Sequence, residues 1–385
     1  MMEKPEYIRV PKGLENVLVD KSSISLSDPE GVLIYRGYSI EELAENSFFE
    51  EAAYLILKGK LPNEDELSDF ITKLKKEREV PEEIYDILKT LRGKYLTPID
   101  LQKIGVELLL AYDEKWYSQS YDDLILRAIK IISKLATITA NGYRIVFKNL
   151  EPVKPRFDLS HSENFLYMLN NEVPDQFTSR IFDMTLIMYM DHDFNASTFT
   201  TRTVASTLSD MYSSVSAGLS ALKGPLHGGA NEKATEMLIK IKSVEEVEKY
   251  IAETLARKEK VMGFGHRVYK KLDPRTTVAK KLFEKILEKK PQFKELHQIM
   301  LKFEEVMWRE RKIPANIDFW IGPIYYCLGL DIPLYTPIFA IARVVGWTAH
   351  YIEQIQDNKI IRPNAEYIGP KNLKFPYKRE WLSKL

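Results

Sequence analysis

The amino-acid sequence predicts a mainly α-helical (all-α) protein made of two domains. Helix-start signals recur along the chain, the apolar residues between them follow the three-four spacing of helices, and alternating segments typical of strands are few and short. A chain of 385 residues exceeds the usual size of one domain. Its 45% of hydrophobic residues is enough to build a large core.

The predicted helix starts combine a capping residue or a proline with acidic residues in the first turn. Residues 39–42 read as a capping box that opens an amphipathic segment, which ends at Lys58–Gly59. Further helix starts are predicted at 63–66, 81–83, 97–98, 243–246, 273–274 and 336–337. The best strand candidate is VLIYRGY at 32–38, which we expect to form part of a small amino-terminal ribbon.

Two features bear on domain organisation. Residues 195–221 are rich in small side chains, so a helix there can be approached closely in a crowded interior or a subunit interface. The pairs Gly224–Pro225 and Gly322–Pro323 are strong local helix breakers. We therefore expect a large domain from residues 1–223 and 324–385, and a smaller domain from residues 224–323.

Composition restricts the possible partners. Lysine plus arginine balances aspartate plus glutamate at 55 each, so no net charge favours nucleic acid or an anionic membrane, and any anion site must be local. The single cysteine, Cys327, excludes an intrachain disulfide framework and fits a reducing compartment.

With no apolar run approaching 18 residues and no signal-peptide core, we expect a soluble cytoplasmic protein. The high charged fraction leans towards a thermophile.

The six histidines fall into two groups by their sequence settings. Three lie in helical settings and are expected to be structural or solvated: His161, His297 and His350. Three lie at breaks between predicted helices: His192 in MDHDFN, His227 in GPLHGG and His266 in GFGHRVYK. Loops on a rigid scaffold are where catalytic groups tend to lie. Each of these three can alternatively be a capping or packing histidine.

His227 is flanked by Gly224, Gly228 and Gly229, which suggests that a ligand approaches the backbone there. If a helix starts near Ala230, the imidazole lies beside the positive end of the helix dipole, which disfavours its charged form. A neutral histidine can donate a hydrogen bond to an oxygen that becomes negative, as in enolate chemistry. The alternative is an incidental residue of a helix-entry turn.

Two glycines precede His266 and let a ligand lie against the main chain. Four cations follow it: Arg267, Lys270, Lys271 and Arg275. Alone, such a run is usually a solvated face. Beside a glycine-rich loop it can equally hold a phosphate or a carboxylate.

Asp318 lies between Ile317 and Phe319, an apolar setting that raises the pKa of a carboxylate. It is a candidate general base, and the alternative is a helix N-cap. Arg343 lies in an apolar helical stretch and Arg362 in a proline-bounded loop. A buried arginine usually pairs with a carboxylate, from the protein or from a ligand. Together these residues suit carbon-acid chemistry on a dianionic substrate.

Four stretches resemble, in order, the motifs of the citrate synthase family in its short archaeal and Gram-positive form: GPLHGGANEKA, VMGFGHRVYKKLDPRT, PANIDFWIG and ARVVGWTAHYIEQ. Residues 13–62 resemble the family's amino-terminal region, so the similarity covers nearly the whole chain. It implies a mainly α-helical homodimer whose small domain closes over oxaloacetate and creates the acetyl-CoA site. We expect the helix at 195–221 to form the dimer contact, and the tail containing Trp381 to embrace the partner.

The resemblance also implies roles in the condensation of acetyl-CoA with oxaloacetate, a reaction of the tricarboxylic acid cycle. Asp318 would remove a methyl proton from acetyl-CoA while His227 donates to the thioester oxygen. His266 would donate to the carbonyl oxygen of oxaloacetate, giving citryl-CoA, which is then hydrolysed. The implied oxaloacetate ligands are His192, Arg275, Arg343 and, reaching in from the partner subunit, Arg362.

For coenzyme A, the resemblance implies contacts along the adenine from Met262, Gly263, Phe264 and Gly265. Lys270 falls where a cation meets the phosphates, with Arg267 a weaker candidate for the same task. No metal and no permanently bound cofactor is implied, since the coenzyme A thioester is a substrate. The sequence departs from the family at Asp193, where glutamate often follows the first histidine, and Asp193 is given no role.

Three competing functions remain at this stage. A 2-methylcitrate synthase has the same fold and residues and uses propionyl-CoA, and one added methylene changes binding by only about 1–3 kcal/mol. A metal-dependent hydrolase is suggested by His192–Asp193 and the other loop histidines. A non-catalytic helical scaffold would make the three histidine loops accidental.

Overall fold

The computed structural model describes residues 7–375, so Trp381 and its expected partner contact lie outside the described residues. Most of this range is helical, which confirms the mainly α prediction. The helices are α1 Ile40–Asn46, α2 Phe49–Lys58, α3 Glu64–Lys76, α4 Glu82–Lys89, α5 Pro98–Leu109, α6 Tyr121–Phe147, α7 His161–Asn170, α8 Gln176–Tyr189, α9 Ala196–Ala205, α10 Met211–Leu222, α11 Ala230–Lys240, α12 Glu246–Ala256, α13 Pro274–Lys289, α14 Lys294–Arg311, α15 Ile317–Cys327 and α16 Tyr335–Gln356.

The predicted amino-terminal ribbon is confirmed as a small antiparallel sheet. Its strands, in the order β1–β2–β3, are Ser25–Asp28, Val32–Tyr35 and Tyr38–Ser39. Ile34 is paired with Leu26 on one side and with Ser39 on the other. Tyr35 is fully buried, and its hydroxyl donates to the backbone oxygen of Asp191 at 2.9 Å. The sheet is thereby fixed beside the chain segment that contains His192.

Each predicted helix start lies at or within one residue of an observed one, and capping by Ser39, Asn63 and Asp273, a local interaction within one turn, is confirmed. The starts at 81–83, 243–246 and 336–337 have no side-chain cap, so the capping signal was wrong there. Asn63 and Glu66 form a complete capping box at α3. Gly59, in the left-handed conformation, ends α2 as expected. The segment that opens at Ser39, however, is two helices, α1 and α2. The chain leaves helical geometry at Ser47, so the prediction of one continuous amphipathic segment was wrong.

Residues 195–221 also form two helices, α9 and α10, and not one. Asp210 starts α10 by accepting a hydrogen bond from the backbone N–H of Ser213. The close approach expected from the small side chains is present: a Cβ atom on Gly218 would lie 2.5 Å from Oγ1 of Thr201. The small residues therefore let these two helices pack tightly against each other within one chain.

Gly322–Pro323 does not break a helix, contrary to the expectation from the sequence. Both residues lie inside α15, whose central part is buried. A Cβ on Gly322 would lie 2.2 Å from Oγ1 of Thr235 and 2.5 Å from the backbone oxygen of Asn231, so glycine is needed for the close contact with α11. Pro323 removes one backbone hydrogen bond, and tertiary packing overrides its local preference. Gly224–Pro225, in contrast, does lie between two helices.

The helices pack in two groups. One is centred on α16, which contacts α2, α6, α8, α9 and α10. In the other, α11 packs on α14 and α15, α12 on α14, and α13 on α15. Among the described residues, one stretch, Ile332–Gln356, has the length and hydropathy of a membrane span, but 83% of its most apolar window is buried inside the protein. It is therefore the core helix of the first group.

Candidate active site

Two parts of the chain meet where the helix groups join. We call residues 189–197 together with α16 the anchoring side. We call residues 224–229, residues 262–275 and the first turn of α15 the loop side. The rings of His192 and His266, one from each side, have their centroids 5.0 Å apart. The structure thus brings two of the three loop histidines together in one cluster, and the charge of Arg343 acts on both His192 and the third, His227.

His227 is oriented by the first turn of α9. Its Nε2 accepts the backbone N–H of Ser197 at 3.2 Å and lies 2.8 Å from the Ser197 hydroxyl oxygen. A ring nitrogen that accepts an N–H is unprotonated, so the proton lies on Nδ1, which makes no hydrogen bond within the described chain. Burial, aided by the charge of Arg343, lowers the pKa of His227 to about 4. His227 is therefore neutral, as expected, but burial and the charge of Arg343 are the causes, whereas the expectation rested on the helix dipole.

Backbone conformation and packing within the chain explain two of the glycines around His227. As predicted, α11 starts at Ala230. Gly229 has a φ of +76°, which glycine adopts without strain. A Cβ on Gly228 would lie 2.1 Å from the backbone oxygen of Leu222. Gly228 is thus required by the contact with α10, a reason that the ligand interpretation did not include.

His266 is held in the opposite tautomer. Its Nδ1 accepts the backbone N–H groups of Val268 at 3.1 Å and Tyr269 at 3.2 Å, so its proton lies on Nε2. Burial and then the charge of Arg275 lower the pKa of His266 to about 4. His266 is therefore a second neutral hydrogen-bond donor, directed by its own loop.

The loop before His266 is tied to the start of α15. The backbone N–H of Gly265 donates to Pro314, and the backbone N–H of Asn316 donates to Gly263, both at 2.9 Å. The Asn316 side chain also donates to the oxygen of Gly265 at 2.8 Å and caps α15 by accepting the N–H of Asp318. Asn316, and not Asp318, is thus the N-cap. The alternative reading of Asp318 as a cap was wrong.

Asp318 lies in the first turn of α15. Its Oδ1 accepts a hydrogen bond from the hydroxyl of Tyr189 at 2.7 Å. Burial raises the pKa of Asp318, and the Tyr189 hydroxyl and the charge of Arg275 oppose that rise. The direction of the shift is the one expected from the apolar neighbours in the sequence.

Arg275 is fully buried and forms a bidentate ion pair with Asp273, through Nε at 2.9 Å and Nη2 at 2.7 Å. Burial opposes both charges, but the pair raises the pKa of Arg275 and lowers that of Asp273. Asp273 also accepts the backbone N–H of Ile317 at 3.1 Å. The pair therefore links the start of α13 to the start of α15.

Arg343 is also buried, but it has no carboxylate partner within the described residues. Its Nε donates to the backbone oxygen of Tyr189 at 2.8 Å, and its guanidinium lies 4.4 Å from the ring centroid of Phe339. Burial lowers the pKa of Arg343 to about 10, which leaves it charged at neutral pH. Its two terminal nitrogens form no hydrogen bond within the described chain, as suits a ligand carboxylate.

His192 is buried on the anchoring side, with Nε2 2.9 Å from the hydroxyl of Tyr269. Burial and then the charges of Arg275 and neighbouring groups hold the pKa of His192 well below its usual value. Asp193 follows with a φ of +51°, and its backbone N–H donates to Ser25 at 2.9 Å. β1 thus fixes the left-handed turn at Asp193, and within the described residues no hydrogen bond or ion pair joins the Asp193 carboxylate to the cluster.

The predicted oxaloacetate ligand Arg362 is not brought to the cluster within one chain. It is exposed beyond α16, and its Nη1 donates to the side chain of Asn364 at 2.8 Å. A contribution of Arg362 from a partner subunit stays a prediction.

The predicted coenzyme A residues fall into two kinds. Gly263 and Phe264 pack internally: a Cβ on Gly263 would lie 2.7 Å from Cβ of Phe319, and the Phe264 and Phe319 ring centroids are 4.7 Å apart. Arg267 and Lys270 are exposed. Nη2 of Arg267 donates to the backbone oxygen of Gly13 at 2.9 Å, whereas the Lys270 ammonium has no partner within the described residues. Met262 and Gly265 are half-buried in the same loop.

The three remaining histidines lie in helices, as expected. His161 and His350 are buried, and His350 bridges Asp191 and Arg202 at 3.2 and 3.3 Å. His297 is half-buried and stacks on Phe283 with ring centroids 5.2 Å apart. Within residues 7–375, no three side chains of metal-ligating type lie close enough together to hold a metal ion.

Sequence reasoning missed four residues that shape the cluster: Ser197, Tyr189, Tyr269 and Asp273. Tyr189 and Tyr269 each lie three positions from a predicted histidine, and that closeness in sequence was the signal that could have found them. Asp273 was assigned only as a helix start, although it also lies two positions before Arg275. That spacing was the signal for the ion pair.

Comparison with known proteins identifies the family and the fold. The family model described as citrate synthase, C-terminal domain, matches residues 13–364. Citrate synthase 2 of Bacillus subtilis is 42% identical over 94% of this chain and 97% of its own length, and the citrate/2-methylcitrate synthase of the same organism is 37% identical over 96% and 99%.

A solved structure gives the same result in three dimensions. The ternary complex of citrate synthase from Thermoplasma acidophilum with carboxymethyl coenzyme A and oxaloacetate superimposes with a TM-score of 0.90. The two sequences are 34% identical, and the match covers 96% of this chain and 98% of that one. The chain therefore belongs to the citrate synthase family.

Proposed function

We propose that the clustered residues condense acetyl-CoA with oxaloacetate and water to give citrate and coenzyme A, the acyltransferase reaction of the family. The observation that carries this proposal is the buried, charged Arg343, which forms no ion pair within residues 7–375, beside three histidines held neutral. A dicarboxylate substrate supplies the missing partner. The related Thermoplasma acidophilum enzyme was solved with oxaloacetate and a coenzyme A analogue.

In this proposal oxaloacetate is bound mainly by the anchoring side, with Arg275 as a ligand from the loop side. Arg343 pairs with one carboxylate, and His192 contributes a hydrogen bond beside it. Arg275 adds its remaining nitrogen, Nη1, since Nε and Nη2 are already held by Asp273. Arg362 of the partner subunit would complete the set in a homodimer, for which α9 and α10 are the proposed contact.

The first chemical step removes a proton from the methyl group of acetyl-CoA. Asp318 takes that proton, while Nδ1–H of His227 donates to the thioester oxygen as negative charge develops there. Because burial keeps His227 neutral, it stabilises the enolate by a hydrogen bond and does not first have to lose a charge.

The second step forms the carbon–carbon bond. The enolate carbon attacks the carbonyl carbon of oxaloacetate, and Nε2–H of His266 donates to the carbonyl oxygen. The product, citryl-CoA, is hydrolysed to citrate and coenzyme A. Two donors of opposite tautomer thus serve the two oxygens at which charge develops.

Residues 224–323 are proposed to move as a small domain over bound oxaloacetate, because they contain the whole loop side. Closure would keep water from the thioester until the new bond has formed. Lys270 is the proposed phosphate contact of coenzyme A, with Met262, Gly263, Phe264 and Gly265 along the adenine and Arg267 as a weaker phosphate contact. A cytoplasmic location completes the proposal.

The decisive experiment measures free thiol released from acetyl-CoA and from propionyl-CoA, each with and without oxaloacetate. Oxaloacetate-dependent release from acetyl-CoA with the higher kcat/KM supports citrate synthase. A higher kcat/KM for propionyl-CoA would favour 2-methylcitrate synthase, a second activity that the name of one relative includes. Release without oxaloacetate that is lost in chelator and restored by zinc would instead support a metal-dependent hydrolase.

A further inference from the structure

We propose that Tyr189 is a positioning residue for the base: its hydroxyl, on the anchoring side, holds the Asp318 carboxylate of the loop side in the orientation that removes the substrate proton. The inference rests on the proposed function, because it requires Asp318 to be the base. It assigns a task to a residue that the sequence analysis did not single out.

The hydrogen bond between these residues joins the two sides directly. The Tyr189 hydroxyl donates to Oδ1 of Asp318 at 2.7 Å. Within the described residues, no other side chain or backbone group donates to this carboxylate. Oδ1 is thus held, and Oδ2 keeps its lone pairs for the methyl proton of the substrate.

Tyr189 is itself fixed by α16. It is fully buried at the end of α8, and its ring centroid lies 4.5 Å from that of Phe339. Its backbone oxygen accepts Nε of Arg343 at 2.8 Å. One residue therefore contacts both the proposed oxaloacetate arginine and the proposed base. Tyr189 thereby sets the distance between Arg343 in the oxaloacetate site and Asp318, which acts on acetyl-CoA.

The charges around Asp318 come from four elements. Tyr189 faces it from α8, Arg343 from α16, Tyr325 from α15, and Arg275 with Asp273 from the start of α13. Burial raises the pKa of Asp318; the tyrosine hydroxyl and the arginines lower it, and Asp273 raises it.

The tyrosine stays a donor over the working pH range. Burial and the nearby Asp318 hold the pKa of Tyr189 well above its usual value, so the hydroxyl keeps its proton. A hydroxyl that donates to a carboxylate favours the ionised form. Its removal is therefore expected to make Asp318 harder to ionise.

The test is Tyr189→Phe, which retains the ring that packs on Phe339 and removes the hydroxyl. The acid limb of the kcat–pH profile should move upward by about one to two pH units, the equivalent of one hydrogen bond to a charged group. The isotope effect on kcat with methyl-deuterated acetyl-CoA should increase, because proton removal becomes slower. Oxaloacetate binding, measured by calorimetry, should remain close to wild type.

Tyr143→Phe is the matched control. Tyr143 is also buried, and its hydroxyl donates to Oδ2 of Asp331 at 2.9 Å, beyond the end of α15 that lies opposite to Asp318. This variant also loses a tyrosine–aspartate hydrogen bond, so it reproduces any general loss of stability. Its acid limb and isotope effect should equal those of the wild type.

The outcomes separate the inference from the proposed function. Wild-type thiol release that depends on oxaloacetate and is lost in Asp318→Asn supports the function alone. An unchanged acid limb and isotope effect in Tyr189→Phe would then overturn the role of Tyr189. A second measurement uses the double variant of Tyr189→Phe and Asp318→Asn, which should keep the residual rate of Asp318→Asn alone. If Tyr189→Phe lowered that rate by the same factor as it lowers the wild-type rate, Tyr189 would act independently of Asp318.

Discussion

On the loop side, Arg275 forms a bidentate ion pair with Asp273, whereas on the anchoring side Arg343 has, among the described residues, a hydrogen bond to a backbone oxygen and a contact with the ring of Phe339 but no ion pair. A buried charge without a partner is costly, so a chain retains it where a ligand provides the partner. Arg275 thus has two of its nitrogens held by the protein and only Nη1 left for a substrate, whereas both terminal nitrogens of Arg343 are available to one.

The two sides also differ in how their histidines are supported. His192 and Arg343 are almost fully buried, at 6% and 2% exposure, beside or within helices of the core. His227 and His266 are half-buried in loops and are oriented by backbone N–H groups. A rigid anchor and adjustable reacting groups suit an enzyme that must bind one substrate before it admits the second. Four further predictions test this contrast.

The largest effect is expected on the loop side. Asp318→Asn removes the proposed base and should lower oxaloacetate-dependent thiol release by about a hundredfold to ten-thousandfold. The oxaloacetate dissociation constant, measured by calorimetry, should not change. Asp193→Asn, which alters a nearby carboxyl outside the cluster, is the control and should retain the rate. Wild-type turnover in Asp318→Asn would exclude Asp318 as the base.

The arginine contrast predicts opposite effects on stability. Arg275→Met leaves Asp273 buried and unpaired, so urea unfolding should show a loss of about 3–5 kcal/mol. Arg343→Met removes an unpaired buried charge and should leave the free energy of unfolding unchanged or higher. It should also weaken oxaloacetate binding roughly ten- to hundredfold, the loss of one charged hydrogen bond. Equal destabilisation by both variants would contradict the contrast.

Two helix glycines give a smaller and more local test. Gly322→Ala places a Cβ 2.2 Å from Thr235 near Asp318, and Gly346→Ala places one 2.4 Å from Asp191 near His192. Each should cost about 1–3 kcal/mol of stability by overpacking. Gly322→Ala should mainly lower kcat, and Gly346→Ala should mainly raise the KM for oxaloacetate. Steady-state kinetics would contradict the division between the two sides if Gly322→Ala mainly raised the KM for oxaloacetate and Gly346→Ala mainly lowered kcat.

The smallest effect concerns pH. The pKa of His227 is about 4 in the folded chain against an ordinary value of 6.5, so between these pH values the unfolded chain binds a proton that the folded chain does not. Stability should fall as pH is lowered through this window and be independent of this group above it. His227→Asn should flatten the dependence, measured by urea unfolding, by about 1.4 kcal/mol per pH unit. If His227→Asn and the wild type showed the same dependence of unfolding free energy on pH, His227 would be charged in the folded chain over this pH window.

Local signals in the sequence predicted where helices begin better than they predicted where helices are broken. The starts at Asn63, Thr97 and Asp273 and the stop at Gly59 follow from capping within one turn. Gly322–Pro323 failed as a helix breaker because the contact with α11 decided its conformation. Propensity is a weak guide wherever a segment is buried against another helix.

The sequence alone determined that this chain is mainly helical and that His192, His227 and His266 lie at breaks, since caps, periodicity and glycine pairs act over a few residues. Only the tertiary structure decided the tautomers of His227 and His266 and the bond between Tyr189 and Asp318, which lie 129 positions apart. These features depend on contacts between distant segments, and no local pattern encodes which distant groups will meet. That no carboxylate of the described residues forms an ion pair with Arg343 is decided in the same way, by the elements that pack around α16.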